Sequence, residues 1–352
     1  MKTIKFLVLH PVFCHDKDSA LKYLKIESLQ EDFEFVWEAT HPDYLIATEH
    51  IFKNGRAWKL FLDLSKKAKI TIFHGGESIS PDFNIFDYAV GYDCELVNGD
   101  RFAHLPSQMT FFSEFLNDSI NKISLKTEAQ ELLRTKKKFC NFLYSNPNSH
   151  PMRDQLFFEI SKYKKVDSLG RHLNNVEKAG TGFVGYEQDC ISLKNPYKFS
   201  IASENATFAG YTSEKVFTSF CAHTVPIYWG DPNVDLNVNP KAIIWMKNGM
   251  SFEELIDKIK EVDENDDLWC QMISEPWQTV EQIGRAKKRN EDYVSFWEHI
   301  FGQSVIEAVR KPCGTYPNLY KKFFFSAKPV ERNIVMRTAI SMYKTLNKNY
   351  KR

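Results

Sequence analysis

The densest polar chemistry in this chain lies between an apolar run, Tyr197–Ala202 (YKFSIA), and a helix-like run that opens near Val216. Glu204, Asn205, Tyr211, Glu214 and Lys215 all fall in that interval. Thr212 or Ser213 can cap the helix by accepting a backbone N–H bond, which puts Glu214 and Lys215 in its first turn. First-turn N–H groups and the helix dipole attract an anion, so a lysine there costs about 0.3 kcal/mol or more. A phosphate bound beside Lys215 offsets that cost, and Glu214 is placed to accept hydrogen bonds from ribose hydroxyls. By itself the same Glu–Lys pair also fits an ordinary surface ion pair, which contributes little.

Other motifs point away from metal and dinucleotide chemistry. GTGFVG, Gly180–Gly185, matches Gly-x-Gly-x-x-Gly, but no strand precedes it and no helix opens on it. Asp16-Lys17-Asp18 is the only Asp-x-Asp and belongs to an N-terminal loop. No divalent metal or other cofactor is demanded, since two basic side chains can neutralise a diphosphate as a magnesium ion does. The seven cysteines are scattered, without a Cys-x-x-Cys pair, which suits free thiols. His223 reads as a helix-ending residue whose charge would favour the dipole.

These residues need a scaffold, and the apolar pattern supplies one. A length of 352 residues suggests two domains. Strands are predicted at Ile4–His10, Phe33–Trp37, Tyr44–Thr48, Lys69–His74 and Tyr88–Tyr92, with a helix over Ala57–Lys67. After a polar, helix-friendly stretch at 107–137, a second series follows. Its strands are Phe139–Tyr144, Lys165–Ser168, Tyr197–Ser203, Val225–Trp229 and Ala242–Met246, and its helices Arg153–Tyr163, Ser213–His223 and Ser251–Val262. This rhythm means α/β units with parallel sheets, and two such units place a ligand in the cleft between them. The expected division is 1–120, a linker at 121–137, a second domain at 138–325 and a terminal helix at 326–352. Lys and Arg total 46 against 45 Asp and Glu, a balance that argues against nucleic acid as the main partner. No stretch reaches the length of a membrane span, and Phe6–Leu9 is short for a signal sequence, so a soluble, cytoplasmic protein is expected. Val335, Ala339, Met342, Leu346 and Tyr350 share one helical stripe, with basic residues elsewhere around it. That helix either docks on the core or touches an anionic inner-membrane surface.

Four ordered blocks carry a resemblance. Tyr197–Val234 (YKFSIASENATFAGYTSEKVFTSFCAHTVPIYWGDPNV) resembles the signature of the family 10 glycosyltransferases, the α-1,3/4-fucosyltransferases, and is most similar to their Helicobacter-type bacterial members. His74–Asp93 (HGGESISPDFNIFDYAVGYD), Ser145–Asp154 (SNPNSHPMRD) and Val166–Asn175 (VDSLGRHLNN) resemble further family segments. The resemblance implies a GT-B architecture, two Rossmann-like domains facing a cleft, with GDP-L-fucose held mainly by the second. It implies Arg153 and Lys215 at the pyrophosphate, Glu214 at the ribose, and Asn205 and Tyr211 lining the nucleotide pocket. Gly170, Asn174 and Glu204, within the matched blocks, join the substrate-binding set. Glu77 becomes the general base, and the acceptor a β-galactoside such as N-acetyllactosamine, fucosylated on its GlcNAc or Glc hydroxyl. A transferase using another nucleotide sugar, or a binding module without catalysis, fits the same scaffold. The long heptad tail of some Helicobacter-type enzymes and the membrane anchor of animal members are not seen in the sequence.

Overall fold

A computed structural model of the chain describes residues 1–53, 55–106, 126–176 and 187–326. The GTGFVG segment and the 331–352 stripe lie outside the described residues.

Six parallel strands form the first sheet: β1 (Lys2–Leu9), β2 (Phe33–Trp37), β3 (Tyr44–Thr48), β4 (Ile70–His74), β5 (Tyr88–Gly91) and β6 (Phe102–His104). Their order is β2-β1-β3-β4-β5-β6. Five parallel strands form the second: β7 (Lys138–Phe142), β8 (Val166–Ser168), β9 (Tyr197–Ser203), β10 (Val225–Trp229) and β11 (Ile244–Trp245), in the order β11-β10-β9-β7-β8. Every residue of β3, β4 and β10 is buried, as parallel strands covered on both faces require. The order reverses between β1 and β3 and again between β7 and β9. Loops leaving the carboxyl ends of those strand pairs diverge and leave crevices for ligands.

The helices are α1 (Lys17–Leu24), α2 (Gly55–Ser65), α3 (Lys126–Thr135), α4 (Met152–Tyr163), α5 (Glu187–Lys194), α6 (Glu214–Cys221), α7 (Phe252–Glu264), α8 (Asp266–Ser274), α9 (Val280–Gly302) and α10 (Thr315–Ser326). Asp16 is the N-cap of α1, in a capping box with Ser19, so the Asp-x-Asp has a structural use.

Two expectations change. Residues 138–325 do not all pack with the second sheet. The long α9 starts beside the second unit, where the Gln282 amide donates to the Asp235 carbonyl at 2.7 Å. Its far half delivers Tyr293, Phe296, Trp297, Ile300 and Phe301 into the core under β1, β3 and β5. Phe324 of α10 stands against Trp58, also in the first unit. The apolar face of α9 finds its partner on the first sheet, so the chain closes back where it began. His223, in turn, does not charge the end of α6. It sits in left-handed backbone (φ 49°), and burial pushes its pKa down to about 4. The buried Lys136 ammonium serves that helix end instead, donating to the Ala222 carbonyl at 2.8 Å.

Candidate active site

The second sheet's reversal point builds the cationic side. Beyond β7 the chain reaches Tyr144, crosses the Ser145–Pro151 loop and enters α4, whose second residue is Arg153. Arg153 is 1% exposed, with its guanidinium 4.2 Å over the Tyr144 ring. One Nη donates to the Ser203 carbonyl (3.1 Å) and to Asn205 Oδ1 (2.6 Å). Its Nε has no hydrogen-bond partner among the described residues. Burying a guanidinium this deeply is costly unless it is paired, so its remaining donor capacity suits an anion.

The loop after β9 builds the second cation. Ser213 is the N-cap of α6, yet its side chain accepts no backbone N–H bond, which corrects the capping expectation. Glu204, fully buried at the end of β9, takes that place from across the loop. It accepts the Ser213 N–H (2.8 Å) and the Ser213 hydroxyl (2.6 Å). Thr212 donates its hydroxyl to Asp231 instead (2.6 Å). The Lys215 ammonium lies 3.2 Å from Glu204, 3.2 Å from Glu214 and 2.8 Å from the Ser213 hydroxyl. Burial alone would lower the Lys215 pKa, but Glu214 and Glu204 raise it above the usual lysine range, and it stays charged. The cost of a lysine in the first turn is therefore met by two carboxylates, before any phosphate is considered. Burial holds Glu204 above the usual carboxylate range, against the pull of Lys215.

The first sheet contributes a carboxylate. The Gly75 N–H bonds the Val90 carbonyl (2.9 Å), and the Gly76 N–H is held by Glu49 Oε2 (3.0 Å). Glu77 follows with an exposed side chain. The buried Tyr211 donates its hydroxyl to Glu77 Oε2 at 2.9 Å, and the Asn205 amide stands 3.5 Å from the same oxygen. Burial, then Glu204 and Glu77, push the Tyr211 pKa well above that of a free phenol, so it remains a donor. Gly210 seats this loop: at φ +85° a Cβ would fall 2.1 Å from the Tyr92 carbonyl of the first unit. The Tyr92 and Tyr211 rings then meet edge to face at 5.0 Å.

Arg153, Asn205, Tyr211 and Glu77 thus form one chain of contacts across the two units, with Glu214 and Lys215 on the adjoining helix end. Gly170 and Asn174 shape the loop after β8. The Asn174 amide donates to the Ser168 and Gly170 carbonyls, both at 3.1 Å. Glu204 lies beneath the surface, joined to Lys215. Sequence reasoning passed over Tyr144, which floors the Arg153 guanidinium, and Glu49, which holds the loop before Glu77. Tyr144 had a signal, being the last apolar residue before a turn-rich run; Glu49 had none.

Two parallel α/β units whose carboxyl-end loops meet, with Glu77 of one bonded to Tyr211 of the other, have the GT-B architecture. Residues 133–306 match the family model "Glycosyltransferase family 10 (fucosyltransferase) C-term", and residues 12–111 match "Alpha-(1,3)-fucosyltransferase FucT N-terminal domain". The chain belongs to glycosyltransferase family 10. It is 29% identical over 231 residues to the alpha-(1,3)-fucosyltransferase FucT of Helicobacter pylori, a match covering 58% of this chain and 46% of the relative. It is 26% identical over 226 residues to the GDP-fucose protein O-fucosyltransferase 3 of Xenopus laevis, covering 63% of this chain and 45% of the relative. The chain thus spans about half the length of these curated relatives or less. A crystal structure of an alpha1,3-fucosyltransferase shares the fold, with a TM-score of 0.65 at 23% identity over 89% of this chain and 93% of that one. Another, with GDP-fucose, has a TM-score of 0.59 at 21% identity over 84% and 91%.

Proposed function

We propose that this protein is an inverting fucosyltransferase that moves L-fucose from GDP-L-fucose to a GlcNAc or Glc hydroxyl of a β-galactoside acceptor, forming an α-1,3 linkage. The observation that carries this reading is Glu77, exposed on a loop of the first unit and accepting the hydroxyl of Tyr211 from the second. The acceptor oxygen attacks the anomeric carbon of fucose while its proton passes to the Glu77 carboxylate. The bond from that carbon to the β-phosphate oxygen breaks, and GDP departs with the electron pair. Arg153 and Lys215 hold the negative charge that develops on the diphosphate, the larger of the two contributions in most such reactions. Glu214, exposed beside Lys215, holds the ribose, and Asn205 and Tyr211 border the nucleotide. With Arg153 and Lys215 proposed at the leaving diphosphate, this reading requires no divalent metal, and turnover should survive chelation by EDTA.

Acceptor-dependent GDP release with N-acetyllactosamine and lactose, followed by linkage analysis, tests this reading. Preference for another nucleotide sugar, or tight GDP binding without transfer to any acceptor, would refute it. A protein acceptor is the competing class, because several relatives at 24–27% identity are named GDP-fucose protein O-fucosyltransferases. We further propose a cytoplasmic enzyme whose basic 331–352 segment touches an anionic membrane. Salt-sensitive sedimentation with anionic vesicles supports that contact, and indifference to them at low ionic strength removes it.

A further inference from the structure

The first sheet's own reversal point, between β1 and β3, carries a second cluster beside Glu77. His10 follows β1 and is only 6% exposed, and its Nδ1 accepts the N–H groups of Val12 (3.2 Å) and Phe13 (3.0 Å). That fixes the ring proton on Nε2. Phe13 stacks on His10 at 4.8 Å and 25°, and lies near parallel to Tyr23 at 6.1 Å, yet it is 60% exposed. The phenyl ring is therefore packed against His10 and Tyr23 while more than half of the residue stays exposed. The His50 ring stands 4.3 Å from His10, and its Nδ1 lies 3.1 Å from Glu49 Oε1. The other Glu49 oxygen holds the Gly76 N–H, one residue before Glu77. A partly exposed aromatic cluster is therefore tied to the loop of the proposed base through a single carboxylate.

We propose that Phe13, His10 and His50 form the platform for the acceptor saccharide, with the apolar C–H face of one pyranose ring on Phe13 and its reactive hydroxyl turned towards Glu77. The inference rests on the transferase reading above and names the residues that would select the acceptor. Several observations favour a sugar ring as the occupant. Among the described residues the exposed apolar surface of the loop is Pro11, Val12 and Phe13, small for a protein interface. It is bordered by imidazoles that can bond hydroxyls. It also stands at the crevice where α/β sheets bind small ligands.

The test compares wild type, Phe13→Ala and Phe13→Trp in steady-state transfer, with N-acetyllactosamine and GDP-fucose varied separately. Phe13→Ala should raise the acceptor KM roughly tenfold, about the loss expected when one stacked ring is removed. The donor KM should stay within twofold, and Phe13→Trp should restore most of the acceptor affinity. Phe13 is largely exposed, so neither variant is expected to unfold the protein. A wild type that transfers fucose while Phe13→Ala keeps the wild-type acceptor KM would overturn the platform alone. So would a parallel rise in both KM values. A wild type that transfers no fucose to any saccharide would overturn the transferase reading and the platform with it.

Discussion

Replacing Lys215 by alanine removes two things at once, and the structure separates them. The ammonium lies 3.2 Å from Glu204, whose side chain is fully buried, while Lys215 itself is 16% exposed. At that distance and an effective dielectric near 20, the attraction is about 5 kcal/mol before desolvation. Breaking one side of such a pair typically costs about 3–5 kcal/mol, because the other charge is left buried. The contact with Glu214 adds little, since that carboxylate is half exposed. Glu204 keeps its two bonds from Ser213 and can take up a proton, which puts the expected loss near the lower end, about 3 kcal/mol. For a unit of this size that lowers the melting temperature on the order of 5–10 °C. Burial already raises the Glu204 pKa, and losing Lys215 raises it further. A carboxyl whose folded pKa lies above its unfolded value is penalised at high pH and relieved as pH falls, so the deficit of Lys215→Ala should shrink towards pH 5. Adding Glu204→Gln removes the stranded charge and should recover about 2 kcal/mol. On the proposed role of Lys215 at the leaving diphosphate, turnover should not recover, and a loss of about 10²–10³ is expected in both variants. Differential scanning fluorimetry and GDP-release kinetics measure the two effects separately. An unshifted melting temperature in Lys215→Ala would refute the pairing argument. A double variant that regains turnover along with stability would show that Lys215 acts only through the fold.

Two further outcomes follow from packing and protonation. Gly170→Ala would place a Cβ 2.0 Å from the Tyr144 carbonyl oxygen and 2.8 Å from its nitrogen, so backbone must move beneath the Arg153 stack. A loss of about 3 kcal/mol or more is expected by chemical denaturation. Gly284→Ala in α9 meets nothing within 4 Å and should be neutral or mildly stabilising. His74 is buried against Tyr293, and desolvation pushes its pKa down to about 4. The unfolded chain therefore takes up this proton first. The stability His74 contributes is fully present above pH 6.5 and is lost between about 6.5 and 4, by up to about 3 kcal/mol. Urea midpoints measured over that range should fall less steeply in His74→Gln, and equal slopes would remove His74 from the account.

Much of the scaffold could be read from local pattern. β2, β3, β9 and β10 have the predicted bounds; β3 and β10 do so because strands buried on both faces are continuous hydrophobic segments, while the edge strand β2 is marked by its aromatics instead. β6 was missed: three half-buried residues, Phe102–His104, leave no periodic signal. α9 (Val280–Gly302) was not predicted either, nor was its destination. Its stripe of Tyr293, Phe296, Trp297 and Ile300 announces a buried face but not which sheet will cover it. In the site, the residue types were legible from the spacing around β9 and α6. The pairing of Glu204 with Lys215, eleven residues on, was not, because it depends on a loop folding back over the strand end. The hold of Glu49 on Gly76 joins two neighbouring strands and likewise has no local signature.

The central claim is that Glu77 accepts the acceptor's proton while the second unit holds the nucleotide. Glu77→Gln tests it most directly, with acceptor-dependent GDP release and GDP affinity measured on the same preparation. Turnover is expected to fall by about 10²–10⁴ with GDP affinity little changed. Turnover close to wild type in Glu77→Gln would contradict that claim.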